Sequence, residues 1–168
     1  MNALKRSLVF LLVALTSCAN PNAGPLLSGT SSLGLPVCFE DPSKIPTFFA
    51  SYYATRDLTT EEGKIDYLIE RVRSSNRTYI RNGVETGSDV AARFLRWKLN
   101  RLRTYHKMTI ETAEDFVHMV TSGSRMTGTP YAVIIPEAGG KFNFEDVLQN
   151  ELNVLNACIS KRKKEESV

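Results

Sequence analysis

The sequence is poor in the residues and motifs that most often carry catalysis. It has two histidines, His106 and His118, and neither stands in a metal-ligand spacing with cysteines or carboxylates. It contains no glycine-rich phosphate loop and no Gly-x-Ser-x-Gly elbow. These absences argue against a zinc site, a P-loop and a serine-hydrolase elbow, and we expect no metal and no cofactor.

The sequence also lacks an apolar run long enough to cross a membrane as a helix. Its longest run, Leu8–Leu15, follows Lys5 and Arg6, which is typical of a secretory signal. The run ends in Leu-Thr-Ser-Cys, which is similar to the lipobox of bacterial lipoproteins. We therefore predict residues 1–17 as a lipoprotein signal peptide and Cys18 as the lipidated residue, with diacylglycerol and palmitate-like chains. The alternative is an ordinary secretory signal with a chance cysteine.

The predicted signal sets the expected location and lowers the net charge. The residue after Cys18 is Ala19 rather than Asp, a pattern that resembles outer-membrane sorting in Gram-negative bacteria. We expect a lipid-anchored protein of the bacterial cell envelope, on the outer membrane and facing the periplasm. Removal of residues 1–17 leaves 19 basic and 18 acidic residues, a net charge of about +1. A nearly neutral exported protein is not expected to bind nucleic acid.

Only two cysteines, Cys38 and Cys158, follow the predicted lipidation site. An exported compartment permits a disulfide between them. Closing a loop of that length would stabilise the fold by roughly 4–5 kcal/mol in the chain-entropy model. The alternative is two unrelated thiols, because Cys158 lies on an apolar helical seam.

Composition divides the chain into a leader, a tether and a body. Residues 18–58 are predicted as the lipidated cysteine, a flexible tether rich in Pro, Gly, Ser and Asn over 19–36, and an aromatic arm. The arm contains Phe48, Phe49, Tyr52 and Tyr53 on a short helix after Pro46, and we expect it to pack rather than to bind a ligand. Residues 59–160 are predicted as the globular domain and 161–168 as a charged, solvated tail.

The body alternates helical and strand patterns. Thr59 with Glu62 predicts a capped start for an amphipathic helix that ends at residues 74–76. Asn82-Gly83 predicts a β-hairpin over 78–86, and Ser88 the N-cap of a helix that runs to about Tyr105. Later signals are a helix start at 112–115, a strand over 131–135, a turn at Gly139-Gly140, and a final helix capped by Asn143. These patterns predict one small α+β domain of about four helices, a hairpin and one further short strand.

The order of these segments resembles a bacterial family. Its motifs here are IDYLIERVRSS, YIRNG, AARFLRWKL, TAEDFV and SGSRMTGTPY, followed by a short strand and a closing helix. The chain is similar, over about residues 61–156, to the small exported proteins of domain of unknown function 5329. The resemblance implies export and one compact domain, and it brings no activity, ligand or catalytic residue.

The predicted helix over 88–105 places two cations on its apolar side. At 100° per residue, Lys98 and Arg101 fall in the apolar arc, which contains Phe94, Trp97, Leu102 and Tyr105. The opposite arc is basic and solvated, and contains Arg93, Arg96, Asn100, Arg103 and Lys107. A buried unpaired ammonium is costly, so Lys98 either extends to solvent, pairs with a carboxylate, or lines a cavity. The sharper hypothesis is an anion-binding pocket formed by Lys98, Arg101 and Arg81.

The loop Ser122–Pro130 is rich in small and hydroxyl residues. Such a loop can surround an anion with backbone N–H groups, or it can simply connect two elements. It also suggests an enzymatic alternative, in which Ser122 or Ser124 is the nucleophile and Lys98, its pKa lowered by burial, is the general base.

Three functional classes follow. The leading hypothesis is a non-enzymatic, lipid-anchored envelope protein that binds a protein partner or an anionic envelope component, with the membrane contacted through lipidated Cys18. The first alternative is the small Ser/Lys hydrolase. The second is a structural accessory lipoprotein, which would expose a large apolar patch near the aromatic arm.

Overall fold

A computed structural model describes residues 24–167, which form one mixed α+β domain. Residues 1–17 and Cys18, with the predicted signal and lipidation, lie outside the described residues. No helix within 24–167 combines the length and the apolar character needed to cross a membrane. The elements, with single-turn pieces omitted, are α1 (Ile45–Tyr53), α2 (Glu61–Ser74), β1 (Thr78–Arg81), β2 (Val84–Gly87), α3 (Ser88–Thr104), α4 (Ala113–Phe116), β3 (Ala132–Ile135), β4 (Gly140–Asn143) and α5 (Phe144–Glu166).

The strands form one antiparallel sheet in the order β2-β1-β3-β4. The hairpin predicted from Asn82-Gly83 is confirmed, with positive φ at both turn residues (51° and 79°). Its register pairs Arg81 with Val84, and β3 pairs with β1 through Tyr79 and Val133. The sheet therefore brings the end of the hairpin next to the segment that precedes β3.

The predicted count of about four helices and three strands was too low. Within residues 24–167 there are five α-helices and a fourth strand, β4, where a turn followed by a helix cap was expected. The strand has four residues and buries one fully, Phe142, so no alternating pattern signals it. It is held by pairing with β3. Asn143 caps α5 as predicted, its side chain accepting a hydrogen bond from the Glu145 amide (3.0 Å).

Two of the predicted helix caps were wrong by one residue. Thr60, not Thr59, caps α2 and accepts from the Gly63 amide (3.1 Å). The residue that precedes α3 is Gly87, and Ser88 is already helical. Both sites offered two adjacent candidates, which a spacing rule does not separate. The start predicted at 112–115 is confirmed as a capping box between Thr112 and Asp115.

The residues predicted as a tether belong in part to the folded body. Leu27 pairs with β4 through the Leu27 amide to Lys141 O (2.9 Å) and the Asn143 amide to Leu27 O (2.7 Å). Asn150 of α5 donates to the backbone of Gly29 and Val37. The expectation of a flexible tether over 19–36 is thus corrected for residues 27–36. Composition missed it because a few apolar and polar anchors are spread through a Pro/Gly/Ser-rich background.

The aromatic arm packs as predicted. Phe49 is buried, and the rings of Phe48 and Tyr52 meet the buried Tyr67 ring edge-on at centroid distances of 5.5 and 5.4 Å. None of the arm's aromatic residues is among the exposed large apolar side chains of the described chain. The arm thus adds to the core formed by α2, α3, α5 and one face of the sheet.

The C-terminal charged residues are exposed, and the two cysteines match the second of the two alternatives that the sequence left open. The charged residues 161–167 are exposed, as expected, and α5 continues through them to Glu166, supported by an Arg162–Glu166 ion pair at spacing i,i+4 (2.8 Å). Cys38 and Cys158 are free thiols, so the disulfide that the sequence permits is absent from this structure. Burial and the nearby Glu151 carboxylate raise the pKa of the Cys38 thiol to about 12.

Candidate anion-binding pocket

The outer face of α3 carries cations predicted to be solvated, and the three arginines among them are ion-paired. Arg93 pairs with Asp89 (2.9 Å), and Arg103 pairs with Glu62 of α2 (3.0 Å). Arg96 pairs with Asp66, also on α2. This face is therefore charge-balanced, and it holds α3 against α2.

Lys98, on the other side of α3, is buried, with 6% of the residue exposed. Its ammonium donates to the carbonyl oxygens of Val120 and Gly123, both at 2.7 Å, and lies 3.5 Å from the Tyr131 hydroxyl. No carboxylate is among its partners in the described chain. Of the three fates predicted for Lys98, the structure shows the third, a position in a cavity wall; the hydrogen bonds to backbone oxygens were not predicted.

A widened helical turn supplies the first of these carbonyls. After α4 the chain continues as a π-helix over Val117–Thr121. The Thr121 hydroxyl donates back to Val117 O (2.7 Å), while Val120 O is left for Lys98. A cation at a helix C-terminus complements the helix dipole. No sequence pattern signals this π-helix, and π-helical turns are frequent at functional sites.

Burial has a clear electrostatic effect on Lys98. Desolvation, followed by the positive charges of Arg125 and Arg81, lowers the pKa of Lys98 to about 8. The ammonium is therefore largely protonated at neutral pH but is held in an environment of excess positive charge. A bound anion would relieve that excess.

Lys98 lies in the wall of a cavity of about 320 Å³. The cavity brings together the three cations that the sequence hypothesis named, Arg81, Lys98 and Arg101. It is lined by twelve residues, none of them acidic: Arg81, Asn82, Phe94, Trp97, Lys98, Arg101, Leu102, His106, Ser124, Arg125, Met126 and Tyr131. We call this cavity the basic pocket.

The three arginines of the basic pocket contact aromatic rings or sulfur rather than carboxylates. The Arg81 guanidinium lies 4.3 Å from the centre of the Phe94 ring, and that of Arg101 lies 5.5 Å from the ring centres of both Trp97 and Tyr105. Arg125 contacts the Met108 sulfur (2.6 Å). Within residues 24–167, none of the three forms an ion pair, whereas seven other arginines do: Arg71, Arg73, Arg77, Arg93, Arg96, Arg103 and Arg162.

The loop Ser122–Pro130 forms one side of the basic pocket. It is closed by the Ser124 amide to Thr129 O (2.9 Å) and fastened to the hairpin by Thr127 Oγ1 to Asn82 Oδ1 (3.1 Å). A Cβ at Gly123 would come within 2.6 Å of Thr129 O, so glycine is needed there. The loop contributes Arg125, which the sequence hypothesis did not include; the sequence left open whether this loop surrounds an anion or only connects two elements.

The serine nucleophiles of the enzymatic alternative are not placed for it. Ser124 lines the basic pocket, but its hydroxyl oxygen accepts from the Thr127 amide (3.4 Å). Ser122 is not among the lining residues. Within the described chain, the hydrogen bonds of the Lys98 ammonium reach neither serine. No group of three or more His, Cys, Asp or Glu side chains in residues 24–167 is arranged to hold a metal ion.

Comparisons with known proteins give a family but no activity. Residues 59–156 match a family of unknown function, DUF5329. The uncharacterized protein YfeK of Salmonella typhimurium strain LT2 is 36% identical over 72 residues, which cover 42% of this chain and 57% of that protein. The chain thus aligns with less than two thirds of that relative's length. No solved structure matches the chain.

Proposed function

The chain belongs to the DUF5329 family, which carries no assigned activity, and we propose that it is a non-enzymatic, lipid-anchored envelope protein that binds an anionic envelope component in the basic pocket. The observation that carries this proposal is the cluster of four cations, Arg81, Lys98, Arg101 and Arg125, in a cavity without an acidic lining residue. Lipidation of Cys18 would keep the pocket near a membrane surface.

The distribution of charge supports a ligand rather than a structural role. Elsewhere on α3 the arginines are neutralised by carboxylates of the same chain. In the basic pocket the counter-charge is missing among the described residues, and burial makes it costly to leave Lys98 uncompensated. A phosphate or carboxylate from outside would supply that counter-charge through charge-assisted hydrogen bonds.

The size of the basic pocket limits what can enter it. A volume of about 320 Å³ lies at the lower end of the range for small-molecule sites, roughly 300–1,000 Å³. It can take one anionic group together with a small part of the molecule that carries it. Phe94, Leu102 and Tyr131 offer apolar walls for that part.

The two other functional classes have less support. A Ser/Lys hydrolase needs a serine whose proton Lys98 can accept, but the Lys98 ammonium is directed at Val120 O and Gly123 O. An accessory protein docking through the aromatic arm needs that arm exposed, but Phe49 is buried and Phe48 and Tyr52 pack on Tyr67.

Anion binding can be followed through the chain's single tryptophan, Trp97, which lines the basic pocket. The protein for this experiment is residues 19–168, which include the whole described core. Titration with inorganic phosphate, at constant ionic strength set with chloride, is expected to change Trp97 emission saturably. Arg101→Gln and Arg125→Gln should each weaken binding about tenfold, because a hydrogen bond to a charged group contributes about 1.5–3 kcal/mol.

The matched control lies on the same helix. Arg93→Gln removes an equal charge from the ion-paired face of α3 and should leave phosphate binding unchanged. A linear, non-saturating response, or an equal loss in Arg93→Gln and Arg101→Gln, would show that phosphate is not held in the basic pocket.

A further inference from the structure

Large apolar side chains stand exposed around the mouth of the basic pocket. Trp97 is 53% exposed, Tyr105 76% and Met126 97%. Single exposed apolar residues are ordinary on a protein surface, but a group of them beside one cavity indicates an interaction site. The helical pattern had placed Trp97 and Tyr105 on the packed side of α3, so their exposure also corrects the sequence interpretation.

Aromatic and cationic groups share this rim. Trp97, Arg101 and Tyr105 follow one another at four-residue spacing, which places them on one stripe at the C-terminal end of α3. The Arg101 guanidinium lies between the two rings, 5.5 Å from each centre. On the other side of the pocket, the loop adds Arg125 and Met126. We call Trp97, Arg101, Tyr105, Arg125 and Met126 the pocket rim.

The chemistry of the pocket rim matches the interface of an anionic bilayer. Tryptophan and tyrosine rings favour the headgroup region, where an apolar body and a polar edge are both satisfied. Arginines near an anionic leaflet each contribute about 1 kcal/mol of attraction. Arg101 and Arg125 have no carboxylate partner within the described chain, so their charge is available for lipid phosphates. The ion-paired outer face of α3 offers no such complementarity.

We infer that the pocket rim docks on an anionic phospholipid surface and that a lipid headgroup phosphate enters the basic pocket. This inference rests on the proposed function and names the lipid phosphate as its anionic component. The rings of Trp97 and Tyr105 and the Met126 side chain then lie at the headgroup level and the upper acyl chains. A weak docking contact suffices if Cys18 is lipidated, because an anchor raises the local lipid concentration greatly.

The test uses vesicles and residues 19–168, so that the lipid anchor contributes nothing. The protein is expected to sediment with vesicles of equal parts phosphatidylcholine and phosphatidylglycerol, but not with pure phosphatidylcholine. Trp97 emission should shift to shorter wavelength on binding, and brominated acyl chains should quench it. Arg101→Gln and Arg125→Gln should each lower vesicle partitioning about fivefold.

Two apolar variants separate docking from simple anion binding. Met126→Ser and Tyr105→Ser should each weaken vesicle binding severalfold. Tyr105 does not line the basic pocket, so Tyr105→Ser should leave the affinity for inorganic phosphate unchanged. The matched control is Leu33→Ser, which alters an exposed leucine (82%) that does not line the basic pocket and should change neither vesicle binding nor phosphate affinity.

The outcomes distinguish the source of the anion. If phosphate saturates Trp97 emission but the anionic vesicles do not bind, the ligand is a soluble anion, and the docking inference fails while the proposed function stands. If neither phosphate nor vesicles bind, both fail. Equal binding to phosphatidylcholine alone, or an equal loss in Leu33→Ser and Met126→Ser, would also overturn the docking inference.

Discussion

Two neighbouring helices each bury one cation, and the two cations have different hydrogen-bond partners: carboxylates in one case and backbone carbonyls in the other. Arg71 of α2 is fully buried, and its guanidinium donates to Glu151 of α5 at 2.9 and 3.2 Å and to Glu40 at 3.4 Å. Lys98 of α3 is 6% exposed and donates to two backbone carbonyls. One burial site contains its own counter-charge, and the other does not.

The difference separates a structural cation from a binding cation. Glu151, itself fully buried, also accepts a hydrogen bond from the Phe39 amide (2.8 Å). Arg71 and Glu151 thereby join α2, α5 and the N-terminal segment in a network that is complete within the chain. The carbonyls that hold Lys98 fix its position without neutralising it. Its positive charge stays available to a group that enters the basic pocket.

The largest expected effect is the loss of Arg71. Arg71→Met would leave the Glu151 carboxylate buried without its cation, and breaking a buried pair from one side costs about 3–5 kcal/mol. We expect the free energy of unfolding, measured by urea denaturation, to fall by that amount. The double variant Arg71→Met with Glu151→Gln removes the stranded charge but keeps an acceptor for the Phe39 amide. It should recover most of the loss, and a double variant no more stable than Arg71→Met would contradict this account.

Of the two buried cations, the sequence analysis predicted the position of Lys98 but not that of Arg71. Lys98 and Arg101 could be found because helical periodicity is local, and it placed them among Phe94 and Leu102. Arg71 gave no such signal, because its role depends on Glu151, eighty residues away. Arg125 was missed for the same reason, since a loop residue joins the basic pocket only when the loop is fastened to the hairpin.

The same limit applies to the fold. The hairpin was predictable because Asn82-Gly83 encodes its own turn. Strand β4 and the segment at Leu27 are ordered by pairing with distant strands, and short segments have little pattern of their own. The exposure of Trp97 and Tyr105 could not be predicted from the helical pattern. Periodicity shows which residues share a helix face, but it does not show whether another element packs against each part of that face. The sequence therefore predicted the cations of α3 better than the surface around them.

A smaller effect on stability, and a larger one on binding, is expected at Lys98. Lys98→Met removes a desolvated charge but leaves Val120 O and Gly123 O without their donor, so the two changes partly cancel. We expect the free energy of unfolding to change by no more than about 1–2 kcal/mol. Phosphate affinity, followed by Trp97 emission, should fall tenfold or more. A loss of stability equal to that of Arg71→Met, with unchanged affinity, would make Lys98 a structural cation as well.

The smallest effect expected is a dependence of phosphate binding and of stability on pH. It is expected for Lys98 and not for Arg71. Because the pKa of Lys98 is lowered to about 8, its charge is lost as pH rises through that value, and phosphate binding should weaken between pH 7 and 9. The free energy of unfolding should instead increase as pH rises. The unfolded chain keeps this proton up to the ordinary lysine pKa of 10.5, so the Lys98 contribution to stability rises from about pH 8 upward.

The groups facing Lys98 define the control for this titration. The positive charges of Arg125 and Arg81 lower the pKa of Lys98, while burial raises the pKa of the Tyr131 hydroxyl. Comparison with Lys98→Met at each pH removes the contributions of all other groups. The difference in phosphate affinity between the two proteins should shrink as pH rises from 7 to 9. A constant difference would mean that the Lys98 charge takes no part in holding the anion.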